Sequence, residues 1–271
     1  MVEESNLFDR LAAALRDDAP VATATLVRPV ERAGAKLLVF QDGSGEGSLG
    51  DAGLDERVRA DARRLLRNGV SQVQTYPSPD GLDEPVTVFV ESYAPLPRLL
   101  IMGSVHAAPA LCALAARVGY RVVVVDARAT YTTRERFPDA AEIIVAWPHR
   151  ALEALPPLDP STYVAVLTHD PKFEEPLLPI LLRSEARYVG MIGSRRTQEQ
   201  RRAMLRRKGV TEEELARLHG PIGLDLGAVT PEEIAIAVLA EMTAVKYGRT
   251  ARPLKDLLPP AATAGAAATG A

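Results

Sequence analysis

Cysteine is almost missing from this sequence. Cys112 is the single one among 271 residues, which excludes an intramolecular disulfide and any metal site built from several thiolates. Long apolar runs are missing too, since none approaches the ~20 residues that a membrane helix needs. The opening residues MVEESNLFDR are acidic and carry no signal-peptide core, so the expectation is a cytoplasmic chain that stays off the membrane. Aromatic residues make up 5% of the chain and the formal net charge is −3. With neither bulk positive charge nor stacking platforms, nucleic acid is not an expected partner. Lysine is scarce, five against 27 arginines. Alanine is abundant as well, so this reads as compositional bias, and only arginine positions carry information. The four histidines, at 106, 149, 169 and 219, are too scattered for metal-ligand spacing. No nucleophile elbow or Ser/His/Asp arrangement is visible.

What is present reads as a globular chain, with 47% hydrophobic and 25% charged residues. The length suits one large or two modest domains at roughly 100–200 residues each. Leu7, Leu11, Ala14 and Leu15 have helical spacing. VATATLV (21–27) and AKLLVF (35–40) read as strands, and the glycine-rich 41–53 as a loop. A helix is predicted over 54–69, with Gly69 as its C-cap. SQVQTY and PVTVFVESY follow as strands. A small α+β domain thus spans 1–94, and Pro95 and Pro97 form a stiff linker. The pattern then changes to apolar runs alternating with helix-length segments: LLIM (99–102), RVVVVD (121–126), EIIVAW (142–147), YVAVLTHD (163–170) and RYVGMIG (187–193). Such runs imply a parallel sheet covered on both faces. The second domain, over 98–249, is therefore a doubly wound α/β unit, and 250–271 reads as a disordered tail.

In open parallel sheets ligands bind at the carboxyl ends of the strands. Polar clusters fall at that edge: Gly103, Ser104 and His106 after the first strand, Asp126 and Arg128 after the second, Thr168, His169 and Asp170 after the fourth, and Gly193, Ser194, Arg195 and Arg196 after the fifth. Convergence of unrelated loops on one edge is the site hypothesis. Asp126 follows Gly103 at about the spacing of an acidic ribose contact in a dinucleotide fingerprint. Val105 replaces the glycine that lets a pyrophosphate approach, which disfavours NAD(P). His106 can meet a phosphate or fill a helix turn. Asp170 and Pro171 suit helix initiation, whereas His169 is harder to explain structurally. Ser194 can cap a helix whose first arginines, Arg195 and Arg196, face the edge and suit a phosphate. Arg201, Arg202, Arg206, Arg207 and Lys208 read as a solvated or docking face. Thr230 to Glu233 is a capping box. Before it, Gly223 and Asp225 form a loop in which Asp225 reads as a buried acid, structural or ligand-orienting. Cys112 lies in an apolar helix and reads as a small buried hydrophobe.

The segments LLIMGSVHAAPALCALAARVGYRVVVVDARATYTTRERFPDA, VLTHD, YVGMIGSRRT and PIGLDLGAVTPEEIAIAVLAEM resemble the carboxyl-terminal Rossmann-like domain of the XdhC/CoxI family. VATATLV, GAKLLVFQDG and GSLGDAGLDERV resemble its amino-terminal domain, and the likeness covers about residues 7–247. The resemblance implies an accessory chaperone rather than a catalyst. Such a protein binds molybdenum cofactor, as molybdopterin or its dinucleotide form, and delivers it to an apo-molybdenum hydroxylase of the xanthine dehydrogenase or carbon monoxide dehydrogenase type. A cysteine desulfurase-type sulfurase and a homodimeric state are further expectations from the family. Under this reading Ser194, Arg195 and Arg196 meet phosphate oxygens, and His169 or Asp225 bonds the pterin. Two departures stand out. The family's Gly-Gly-Gly-Cys, with Glu two residues on, is Gly50-Asp51-Ala52-Gly53 and then Asp55, so the cysteine implicated in holding the cofactor is Gly53. The family's Gly-Ala-Gly-His is Gly103-Ser104-Val105-His106. The alternatives are an NAD(P)-binding oxidoreductase and a docking or regulatory protein with a vestigial site.

Overall fold

Two sheets organise the chain. The computed structural model describes residues 2–78, 84–104 and 106–257, with side chains from residue 7 onward. Val105 and the predicted tail beyond residue 257 lie outside these. The first sheet is antiparallel, in the order β3-β2-β1-β5-β4, with β1 Val21–Arg28, β2 Lys36–Phe40, β3 Gly45–Gly47, β4 Gln72–Tyr76 and β5 Val86–Tyr93. Helix α2, Ala52–Asn68, covers one face with Leu54, Val58, Ala62, Leu65 and Leu66 against Ala22, Ala24, Val39, Val88 and Val90. Helix α1, Val2–Arg16, covers part of the other through Leu7, Leu11 and Ala14.

The glycine-rich stretch differs from its prediction as a loop throughout. Gly45–Gly47 pairs with β2 as a short edge strand, and a side chain at Gly45 or Gly47 would collide with the β2 carbonyls of Leu38 and Lys36. Glycine is what admits that close approach. The helix also begins earlier than predicted, because Asp51 accepts a hydrogen bond from the Leu54 amide and caps it. Gly69 closes it in the left-handed region, as predicted. Leu15, placed on the apolar face of α1 by spacing, is largely exposed.

The second sheet has six parallel strands in the order β11-β10-β9-β6-β7-β8. They are β6 Arg98–Met102, β7 Arg121–Val125, β8 Glu142–Ile144, β9 Thr162–Val166, β10 Tyr188–Met191 and β11 Leu218–His219. Alternate residues feed two cores. Leu99 and Ile101 pack with helices α3 (Ala108–Arg117) and α8 (Pro231–Tyr247). Leu100 and Met102 pack with α4 (Pro148–Ala154), α5 (Pro171–Arg183), α6 (Arg195–Arg207) and α7 (Glu212–Ala216). Burying each such side chain contributes about 1.5–3 kcal/mol, on both faces of every central strand. The two-residue β11 was not predicted. Strand order reverses between β6 and β9, which places the switch point at their carboxyl ends.

Candidate functional site

At the switch point the loops after β6 and β9 touch. Gly103 has φ +110°, and a Cβ there would lie 3.0–3.2 Å from the backbone of Leu167 and Thr168. Only glycine suits both the dihedral and the approach. Ser104 is fully buried next to it, donating its amide and hydroxyl to Asp126 Oδ2, both at 2.9 Å. His106 is exposed and sits at φ +52°, a sparsely populated conformation for a side-chain-bearing residue. Helix α3 follows with Ala107 at its N-cap and no side-chain capping bond; Pro109 offers no amide, which leaves those of Ala108 and Ala110 without a side-chain cap.

Asp126, 3% exposed, anchors this edge. Besides Ser104, its carboxylate takes the Arg128 amide (2.9 Å) and the Arg128 Nε and Nη2 (2.9 and 2.7 Å). Burial alone would raise its pKa, but these donors outweigh it and hold the carboxyl down at about 2. Both oxygens are thus engaged internally, and the predicted ribose contact has no free acceptor. Arg128 in turn feels the charge of Asp170 from the neighbouring loop. Thr132 closes the cluster, donating to the Arg128 carbonyl at 2.9 Å and approaching Ser104 Oγ at 3.3 Å.

The β9 loop carries buried Thr168 and exposed His169 and Asp170. Asp170 caps α5 by accepting the Lys172 amide at 3.0 Å, which satisfies the helix-initiation reading. After β10, Gly193 turns the chain at φ +136° and Ser194 caps α6 through the Thr197 amide. Arg195 and Arg196 are exposed in the first turn of α6, and neither makes an ion pair or hydrogen bond among the described residues. Gly223, at φ +95°, lies against the backbone of Ala237 and Val238 in α8. Its loop joins the same edge through the Ile222 amide, which donates to the Met191 carbonyl. Asp225 is exposed rather than buried, because the loop turns it outward beyond that anchor.

Two further expectations change. Arg201 is not part of a solvated face: it is 4% exposed and pairs with Glu174 at 2.9 Å, while donating to Gln198 Oε1 at 2.7 Å. Arg202 is spent on the carbonyls of Leu215 and Leu218. Missed altogether was Glu241 of α8, which accepts from the Tyr188 hydroxyl and the Gly223 amide and bonds His219 Nδ1 at 3.0 Å. Burial would raise its carboxyl, yet these partners keep it below the ordinary value. A lone acid within AIAVLAEM was the available signal.

Sulfur is not at hand for a metal. Cys112 is buried, and desolvation pushes its thiol up to about 11, well into the protonated range. Gly53 is exposed in the first turn of α2, and Asp55 behind it is buried, taking the Leu49 amide and the Ser48 hydroxyl. No group of three histidine, cysteine or acidic residues among the described residues is arranged to hold a metal ion.

The XdhC Rossmann domain matches residues 99–242, and the XdhC and CoxI family domain matches residues 14–77. An uncharacterised protein of Escherichia coli K12, YqeB, is 31% identical over 258 residues, covering 89% of this chain and 46% of its own length. A protein of Bacillus subtilis, named as a probable xanthine dehydrogenase subunit, is 31% identical over 59% of this chain and 46% of its own. The molybdenum cofactor insertion chaperone PaoD of E. coli is 29% identical over 58% of this chain and 43% of its own. The chain therefore spans less than half the length of these relatives. A crystal structure described as a xanthine dehydrogenase from Bacillus halodurans superposes with a TM-score of 0.52 at 22% identity, over 92% of this chain and 99% of that one, a likeness of fold. With the Rossmann-domain match alone taking in more than half of its residues, the chain belongs to the XdhC and CoxI family.

Proposed function

We propose that this protein carries molybdenum cofactor as cargo and hands it to an apo-molybdenum hydroxylase. The observation that carries the reading is the pair Arg195 and Arg196, cations without a partner among the described residues, in the first turn of α6 at the carboxyl edge of the sheet. The uncapped amides of α3 lie at the same edge. Together they suit the phosphate of a pterin or of its dinucleotide form. His169, exposed in the adjacent β9 loop just past buried Thr168, is the side chain of that loop open to hydrogen-bond the pterin. Since neither Gly53 nor Cys112 supplies a thiolate, retention rests on the phosphate and pterin rather than on the metal. Kinship with a protein named as a molybdenum cofactor insertion chaperone supports the assignment.

The NAD(P) alternative draws on the same strand order, but it asks Asp126 for a bond that Ser104 and Arg128 already occupy. Equilibrium retention of isolated cofactor, with NADH as competitor, separates the two. Retention is expected to survive NADH and to weaken by at least about tenfold per arginine in an R195A/R196A variant, given ~1.5–3 kcal/mol for each charge-assisted bond. Unchanged affinity in that variant removes both arginines from the site. Displacement by NADH moves the nicotinamide reading to first place.

A further inference from the structure

A cleft also lies at the other end of the parallel sheet. A cavity of about 420 Å³ opens between the two sheets, where Pro97, Gly119, Ser161 and Arg187 immediately precede or lead into the parallel strands. Its opposite wall is the carboxyl end of α2 with the linker. That volume is within the range of roughly 300–1,000 Å³ that small-molecule sites occupy.

Four cations line it: Arg63, Arg67, Arg187 and Lys246. None forms an ion pair with a carboxylate among the described residues. Arg187 spends Nη1 on Asn68 Oδ1 and Nη2 on the Arg67 carbonyl, both neutral acceptors, and lies 6.0 Å from the Tyr163 ring centroid, so no carboxylate among the described residues offsets its charge. Arg63 keeps a buried Nε with no hydrogen-bond partner, and Asp42 acts on it only as a nearby charge outside ion-pair range. Two acids share the lining. Asp159 is already engaged by Ser161 and Thr162, and Asp18 is exposed at the rim. The decisive group is Tyr163, 1% exposed, which lines the cavity with a hydroxyl that has no hydrogen-bond partner. Tyr120 and Arg187 are the polar groups closest to that hydroxyl and act on it electrostatically, but neither makes a well-formed hydrogen bond to it. A buried hydroxyl left without a partner is destabilising, a penalty that a bound acceptor removes. Apolar wall is supplied by Leu66, Pro95, Pro97 and Val118.

We propose that this inter-sheet cleft binds a small organic phosphate of mononucleotide size, its phosphate met by Arg63, Arg187 and Lys246 and its ring laid on the linker prolines. The site is separate from the carboxyl-edge site, and it joins residues of both sheets, so its ligand ties the two halves together.

Titration calorimetry of the full chain with AMP, CMP and GMP, each against its nucleoside, tests it. At least one nucleotide is expected to bind below 1 mM, about tenfold or more tighter than its nucleoside, the least that one charge-assisted contact gives. The variants R63A and K246E, at half-buried positions of the cleft wall, should each weaken it at least tenfold, and Y163F should weaken it by less. The R195A/R196A variant should bind the nucleotide as the natural chain does, although the proposed cargo is weakened in it. Failure of all three nucleotides, indifference to R63A and K246E, or loss in R195A/R196A would each overturn the second site. That last result would relocate the nucleotide to the carboxyl edge, and all three leave the cargo reading to its own retention test.

Discussion

At the scale of single residues, Asp126 has the largest consequence at the proposed site. Its folded-state carboxyl is held at about 2, below the ordinary 3.8. A depressed folded value means stabilisation that is complete above the unfolded pKa and lost as pH falls through the folded one. The difference is worth about 2 kcal/mol. Compared by denaturant titration, the natural chain should exceed an Asp126→Asn variant by about that amount at pH 6. The gap should close between about pH 4 and pH 2. A gap independent of pH would show that the Ser104 and Arg128 donors do not favour the charged form. Gly53 offers a complementary test. It is exposed, helical and free of positive φ, and a Cβ there would meet only Asp51 Oδ1, at 3.4 Å. Gly53→Cys should therefore leave the melting temperature almost unchanged, with a few tenths of a kcal/mol gained in helix propensity. Cofactor retention should rise, with a thiolate favoured by the helix N-terminus. If retention is unaltered, the α2 loop does not face the cargo.

At the scale of elements, what was legible depended on whether a segment's own residues determine it. The central parallel strands are continuous β-branched or aliphatic runs, and such runs can only be buried, so β6, β7 and β9 fall where the pattern puts them. β3 and β11 are two or three residues long and exist because a neighbouring strand offers free backbone groups. Nothing in Gly-Glu-Gly or Leu-His announces that. The candidate site divides the same way. Its loops and caps follow from glycine, serine and aspartate at helix starts, whereas the buried partner of Arg201 is 27 residues distant in sequence. Charge on α6 looked like a solvated face until α5 supplied Glu174. This pair, 2% and 8% exposed, locks α6 to α5 and fixes where Arg195 and Arg196 emerge. Glu174→Gln should destabilise the chain by about 3–5 kcal/mol, since it leaves a buried guanidinium without its counter-charge. Replacing both, as Glu174→Met with Arg201→Leu, should recover most of that loss in denaturant midpoint. Equal losses in the single and double variants would mean that shape, and not charge, holds the helices.

At the scale of the whole molecule, two hydrophobic cores belong to the parallel sheet and a separate one lies between α2 and the antiparallel sheet. Each half can therefore hold itself together, and the coupling between them falls to polar contacts and the proline linker. Arg187 is the clearest coupler. It leads into β10 and reaches Asn68 Oδ1 at 3.0 Å and the Arg67 carbonyl at 2.9 Å at the end of α2. Interfaces of this polar kind permit relative motion unless something fastens them. Arg187→Ala removes both bonds, costing about 1–3 kcal/mol at the junction but little within either core. Calorimetry is expected to show one unfolding transition for the natural chain and two for the variant, with the antiparallel half melting apart from the parallel half. A single transition shifted as a whole would place Arg187 inside one cooperative core. An unshifted single transition would assign the coupling to the linker packed between Ala94 and Pro97.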